Sequence, residues 1–154
     1  MYLSDPAESL RRLRYLVRPS GILAFQEFDI EAARTLPECP LVAQCARWIC
    51  AAFKAAGADT RMGMKLHSAF VAAGLGAPKM RLEGVVGAGP NFVGYAMLAH
   101  VVRSLLPLIE KSGIATPREV AIDTLADRLR DECVRNNAVF VIPELIGAWT
   151  TLSR

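Results

Sequence analysis

The sequence predicts an α/β fold in which helices pack on a sheet containing at least one strand buried on both faces. Three observations carry this. A well-signalled helix runs through a Pro- and Gly-containing turn directly into the apolar run Ile22-Leu23-Ala24-Phe25. Apolar stretches of helical period alternate with shorter strand-like runs along the chain. Hydrophobic residues make up 53% and charged residues 21% of 154, enough apolar surface to offset the entropy of ordering one domain, which excludes a disordered tail.

The first helix opens on Asp5 as N-cap, with Pro6 at the first helical position and Glu8 three residues after the cap, an Asp form of the capping box. Leu10, Leu13, Leu16 and Val17 recur at helical spacing as the inward face, and Arg11, Arg12 and Arg14 lie largely off it as a solvated basic face. Pro19 stops the helix and Gly21 is free to turn the chain. The run 22–28 starts without alternation and reads as a strand buried on both faces, as in a parallel sheet. A parallel crossover needs a strand on each side of its helix, and none precedes this helix. Residues 22–28 are therefore expected in the middle of a sheet whose other members the sequence does not encode.

Residues 29–40, punctuated by Pro37 and Pro40, are expected to be irregular. A helix over 41–56 follows, with Leu41, Cys45, Trp48, Ile49, Ala52 and Phe53 as a wide apolar stripe and Gly57 at its end. A second helix covers 61–73, with Leu66, Phe70 and Val71 inward. Residues 79–86 alternate Met80 and Leu82 with polar neighbours and read as a half-exposed strand. Gly87-Ala88-Gly89 follows it as a strand-to-helix loop. The stretch 92–111 is helical, with Pro107 as a kink candidate; Arg103 inside it argues against a membrane span, which needs about 20 mostly apolar residues. Thr116-Pro117-Arg118-Glu119 is a second capping box, opening a helix to about residue 135 with Val120, Leu125, Leu129 and Cys133 inward. Strands are expected over 138–142 and 145–152, separated by Pro143.

Eighteen basic against 15 acidic residues leave a formal charge of +3, too small an excess for a nucleic-acid partner, and the 14 Arg are scattered. Cys39, Cys45, Cys50 and Cys133 form no Cys-x-x-Cys or Cys/His pair at metal spacing and read as free, buried thiols of a reducing compartment. The N-terminus has no basic segment followed by an apolar one, so no signal peptide is read and a cytoplasmic protein without a membrane partner is expected.

Taken in order, Tyr2-Leu3-Ser4-Asp5-Pro6, Leu10-Arg11-Arg12-Leu13 and Leu16-Val17-Arg18-Pro19-Ser20-Gly21-Ile22-Leu23-Ala24-Phe25-Gln26-Glu27-Phe28 resemble the late motifs of class I S-adenosylmethionine-dependent methyltransferases, in the small-molecule branch that includes quinone-biosynthesis-type enzymes. In that family a loop ending in Asp-Pro opens a helix that closes on Leu-x-Pro-Gly-Gly before the fifth strand. The stretch Gly63-Met64-Lys65-Leu66-His67-Ser68-Ala69-Phe70-Val71-Ala72-Ala73-Gly74-Leu75 is similar to the helix before the sixth strand, and 140–151 to the antiparallel seventh. The resemblance spans the whole chain but only about the C-terminal half of the family's domain. It implies the C-terminal part of a Rossmann-like methyltransferase sheet, its late strands in the order five, seven, six with the last antiparallel. It divides one incomplete domain into 1–28, a helical lid over 29–63, and the C-terminal strands and helices of 64–154. Two departures stand out. Ser20 replaces the first Gly of the turn, and neither the family's Gly-rich loop nor its ribose-binding acidic residue is present.

The resemblance implies a transferase with S-adenosylmethionine as cofactor, held in the complete domain, and a small-molecule methyl acceptor. Met1 and Tyr2 would border the cofactor. Glu27 and Phe28 would lie at the carboxyl end of the fifth strand, where open α/β sheets bind ligands. Methyl transfer is an in-line displacement that needs chiefly orientation and exclusion of water, in some members with a general base. Glu27 and His67 are the candidates for that base; the alternatives are a solvated strand-end carboxylate and a structural or exposed histidine. Phe28, Trp48, Phe53 and Tyr95 could line the acceptor, although the helical spacing of the last three fits plain packing. His100, inside an apolar run, reads as a hydrogen-bonded core histidine. A second reading is a non-catalytic interaction module: a buried-type strand left at an edge would pair with a second copy, making a homo-oligomer, or with a separately supplied N-terminal half. A small apolar-ligand binder with the 41–53 helix as lid is a third.

Overall fold

The computed structural model describes residues 1–152. The chain is α/β and divides into two compact units: Met1–Asp29 with Ala58–Glu83 and the segment from Leu145 onward, and Ile30–Gly57 with Gly84–Glu144.

The first unit holds α1 (Pro6–Leu13), β1 (Ile22–Asp29), α3 (Met62–Ala72), β3 (Lys79–Glu83) and β6 (Glu144–Thr151). The Asp5 carboxylate caps the helix by accepting from the Glu8 N–H at 2.8 Å, but the expected capping box is only half made, because the Glu8 carboxylate accepts from Arg11 and Arg12 instead. The three strands form one sheet in the order β1-β6-β3. β6 runs antiparallel to β3, with Met80 opposite Ala148 and Leu82 opposite Ile146. Bonds from the Ser20 N–H to the Leu152 carbonyl and from the Leu152 N–H to the Gly21 carbonyl join the start of β1 to the end of β6, so this pair is antiparallel too. β1 and β3 consequently run the same way. Leu10, Leu23, Met62, Leu66, Ala69, Phe70, Ile146 and Ala148 form the core between α1, α3 and one sheet face, and Phe25 meets Phe70 edge to face with centroids 6.4 Å apart.

β1 corrects the expectation of a strand buried on both faces in mid-sheet. It is an edge strand, and its burial alternates: Leu23 and Asp29 are buried while Ile22, Ala24, Gln26 and Phe28 are exposed. The apolar opening Ile22-Leu23-Ala24-Phe25 misled because helices cover one face only, and an uncovered apolar face has the same composition as a covered one. The expected inward positions Leu16 and Val71 are also exposed, at 81% and 49%. Leu16 falls in the 3-10 turn 14–16 that closes the first helix, where the period shortens and the face rotates.

The second unit holds β2 (Arg34–Leu36), α2 (Pro40–Ala55), β4 (Val86–Gly87), α4 (Gly94–Lys111), α5 (Pro117–Val120), α6 (Leu125–Arg135) and β5 (Val139–Val141). Its sheet runs β2-β5-β4, both pairs antiparallel. α2 packs on α4, and α4 on α6. Phe92, Tyr95 and Phe140 form an aromatic cluster with centroids 5.6–6.2 Å apart. The Glu132 carboxylate accepts from the Leu41 N–H at 3.0 Å, so a side chain of α6 satisfies one orphan donor at the start of α2. Two expectations change here. The segment 29–40 contains β2, whose three residues are too few to show a period. The helix expected from Thr116 to about 135 breaks at Ala121 (φ +43°) into α5, a 3-10 turn and α6, although its capping box forms as read. α4 runs unbroken through Pro107, and no helix among the described residues is long and apolar enough to cross a membrane.

Ser20, where the resembled turn carries Gly, sits in the left-handed region at φ +62°. A Cβ is strained there and Gly is not. Relief of about 1–2 kcal/mol of left-handed strain, less the folding entropy that Gly loses, means Ser20→Gly is expected to stabilise the protein by about 0.5–1 kcal/mol. Thermal unfolding should show this as a rise of roughly 1–4 °C for a chain of this length.

Candidate functional site

The alternation of β1 places Leu23, Phe25, Glu27 and Asp29 on its helix-covered face, and the last two polar side chains arrive at its carboxyl end. α3 begins beside them. A Cβ on Gly63 would stand 2.8 Å from the Glu27 carbonyl oxygen and 3.1 Å from the Phe28 carbonyl carbon, so only glycine lets the helix start this close to the strand backbone.

A shallow open depression of about 40 Å³ lies there, lined chiefly by Met1, Leu3, Leu10, Phe25, Glu27 and Met62. Its walls are apolar, and Glu27 is the one ionisable side chain among its lining residues. The Met1 amino group donates to and ion-pairs with the half-buried Glu27 carboxylate. The Met1 carbonyl accepts from the Asp59 N–H at 3.0 Å, which ties the first residues to the loop before α3. Asp29 is 9% exposed, its Oδ1 is buried with no hydrogen-bond partner, and the nearest cation is Arg61, Nε at 3.9 Å. A buried carboxylate oxygen left in this state calls for a donor. The Asp59 carboxyl sits below its ordinary range because Lys65 hydrogen-bonds to it.

The structure thus gathers Met1 and Glu27 in one wall, with Phe28 exposed on the other face of the strand. Tyr2 is exposed, and His67 is exposed on α3, in line with one alternative weighed for it. Trp48 and Tyr95 lie in the second unit, 5% and 3% exposed; Phe53 is half-buried on α2. The Tyr95 hydroxyl donates to the Gly89 carbonyl at 3.2 Å, and burial raises its pKa. That geometry is the packing role weighed for it. His100 is exposed on α4, which corrects the expected core histidine: the helix turns it to the side opposite Leu98, Ala99 and Val102. Sequence reading missed Asp29, which it assigned to an irregular segment. Period-two reading of 23, 25, 27 and 29 would have carried the strand through it.

No group of three or more His, Cys, Asp or Glu among the described residues could hold a metal ion. Cys39, Cys45 and Cys133 are buried and Cys50 is half-buried. Burial pushes the Cys45 and Cys133 thiols up to about 12; Cys39 also hydrogen-bonds with Cys133. No family model matches the chain, and no curated protein matches it.

A thiol held near 12 is almost wholly protonated at pH 8 and a poor nucleophile. Titration of the native protein with a thiol-specific disulfide reagent at pH 8 should modify Cys50 first, with Cys39, Cys45 and Cys133 reacting only on unfolding. Prompt modification of all four would contradict the burial.

Proposed function

We propose that this chain is the carboxyl part of a class I S-adenosylmethionine-dependent methyltransferase acting on a small molecule. The observation that carries the reading is the strand order. The resemblance assigns 22–28 to the fifth strand and 140–151 to the seventh, and puts the sixth after the helix of 63–75, where β3 lies. In the structure the corresponding strands lie in the order β1-β6-β3 with β6 antiparallel to both. Motif order in a sequence does not dictate that arrangement, since adjacent strands along the chain pair more often than not. The positive φ of Ser20 is a second support, because the family's Gly at that place has a physical reason that this chain shares.

The residues present do not fit the whole cofactor. A site for it needs backbone N–H groups of a Gly-rich loop and a carboxylate for the ribose hydroxyls. The depression beside β1 offers apolar side chains and a single carboxylate, with no glycine among its lining residues. No step is therefore derived through the cofactor. The part proposed for this chain is acceptor binding. Glu27 would anchor a hydroxyl or amine, and the Phe25, Leu10 and Met62 side chains would exclude water from its apolar body.

The second reading, a non-catalytic module that associates through a strand edge, is favoured by a specific observation: among the described residues β1 has a neighbouring strand on one side only. On the methyltransferase reading that edge receives a strand of the missing N-terminal half; on the second, another copy or a separately supplied half.

The reading frame upstream of the Met1 codon tests the first proposal. An in-frame strand followed by a Gly-rich loop is expected, and a frame encoding neither overturns it. For the 154-residue polypeptide, tritiated S-adenosylmethionine should show no saturable binding at micromolar concentration. Micromolar binding would contradict the assignment of the cofactor to residues outside this chain.

A further inference from the structure

We infer that the open edge of β1 pairs with β1 of a second copy, antiparallel and centred on Phe25, to join two three-stranded sheets into one of six. The inference deepens the second reading above by naming its partner.

The Gly21 carbonyl accepts from Leu152 on β6, and backbone polar groups point to alternate sides along a strand. The odd residues of β1 therefore turn their N–H and C=O toward β6, and Ile22, Ala24, Gln26 and Phe28 present theirs along the open edge. Ile22–Asp29 carries neither Pro nor Lys, and its two charged residues, Glu27 and Asp29, lie on the helix-covered face near one end of the edge.

Two antiparallel copies can bond only if even residues face even residues. Centring on Phe25 sets Ile22 opposite Phe28 and Ala24 opposite Gln26, each twice by symmetry, for about eight hydrogen bonds between the chains. Ile22 and Phe28 are 63% and 39% exposed in the single chain, and this register covers each with the other on the sheet face away from α1 and α3. Glu27 and Asp29 fall opposite Leu23 and Gly21, so no carboxylate faces another. Neighbouring registers are worse. Centring on Gln26 sets Asp29 against Leu23 and Glu27 against Phe25, losing the Ile22–Phe28 match. Centring on Ala24 leaves Phe28 opposite the Ser20 turn.

Sedimentation of the full chain should show a concentration-dependent monomer–dimer equilibrium. Ala24→Pro removes a donor from the open edge, and Pro is tolerated where the N–H faces outward. It should raise the dimer dissociation constant at least about tenfold while leaving circular dichroism and the melting of the monomer unchanged. If Ala24→Pro does not fold, Gln26→Lys, which places a charge at the same edge, should do the same. The register is read by mixing Ile22→Cys and Phe28→Cys copies in a Cys50→Ser background under mild oxidation. A disulfide should form between the two variants and within neither alone, the opposed residues lying about 5.5 Å apart. A chain monomeric at all concentrations, a dimer indifferent to both edge variants, or cross-linking of either Cys variant with itself overturns the inference. A monomer would leave the methyltransferase reading standing, and failure of that reading would leave the dimer standing.

Discussion

The ladder on which the first unit depends is the double pairing of β6. Its strand is the last among the described residues, yet it lies between β1 and β3 and bonds to both. Ile146 and Ala148 on its covered face enter the core with Leu23, Leu66 and Phe70, so the register of one strand sets which residues of three strands are buried. A slip of one residue would turn Ile146 and Ala148 outward and bring the Trp149 and Gly147 side into the core. The carboxyl end of β1, with Glu27 and Asp29, is positioned by the same ladder, because no other strand among the described residues holds it.

That arrangement explains the character of the candidate site. Glu27 and Asp29 lie on the covered face because the parity of β1 puts them there with Leu23 and Phe25. α3 can begin against them because residue 63 has no side chain. The Asp29 carboxylate is held there by the strand on which it sits, its Oδ1 without a hydrogen bond and 3.9 Å from the Arg61 Nε. The polar groups are concentrated at one strand end, while the apolar wall is contributed by α1 and α3.

Much of the fold was legible in the sequence, for identifiable reasons. The Thr116–Glu119 capping box forms as read, because cap chemistry is local and complete within four residues, whereas at Asp5 only the cap itself forms and the Glu8 carboxylate turns to Arg11 and Arg12. The helices over 41–56 and 61–73 match α2 and α3 to within a residue or two, since their apolar stripes are long. Residues whose fate depends on what lies over them were not legible. Ile22, Leu16 and Val71 are apolar and exposed, and His100 sits among apolar neighbours yet faces outward. β2 was too short to show a period, and the break at Ala121 has no Gly or Pro to announce it. At the site, Glu27 was found from its place at a strand end. Asp29 was lost with the boundary of the strand.

Residue-resolved amide hydrogen exchange of the dilute single chain tests the central claim, that β1 is bonded on one side only, by β6. The Leu23 and Phe25 amides should be protected while those of Ile22, Ala24 and Gln26 exchange quickly. β6 should be protected at successive residues, because neighbours take its donors on both sides. Uniform protection along Ile22–Asp29 in the single chain would contradict the account.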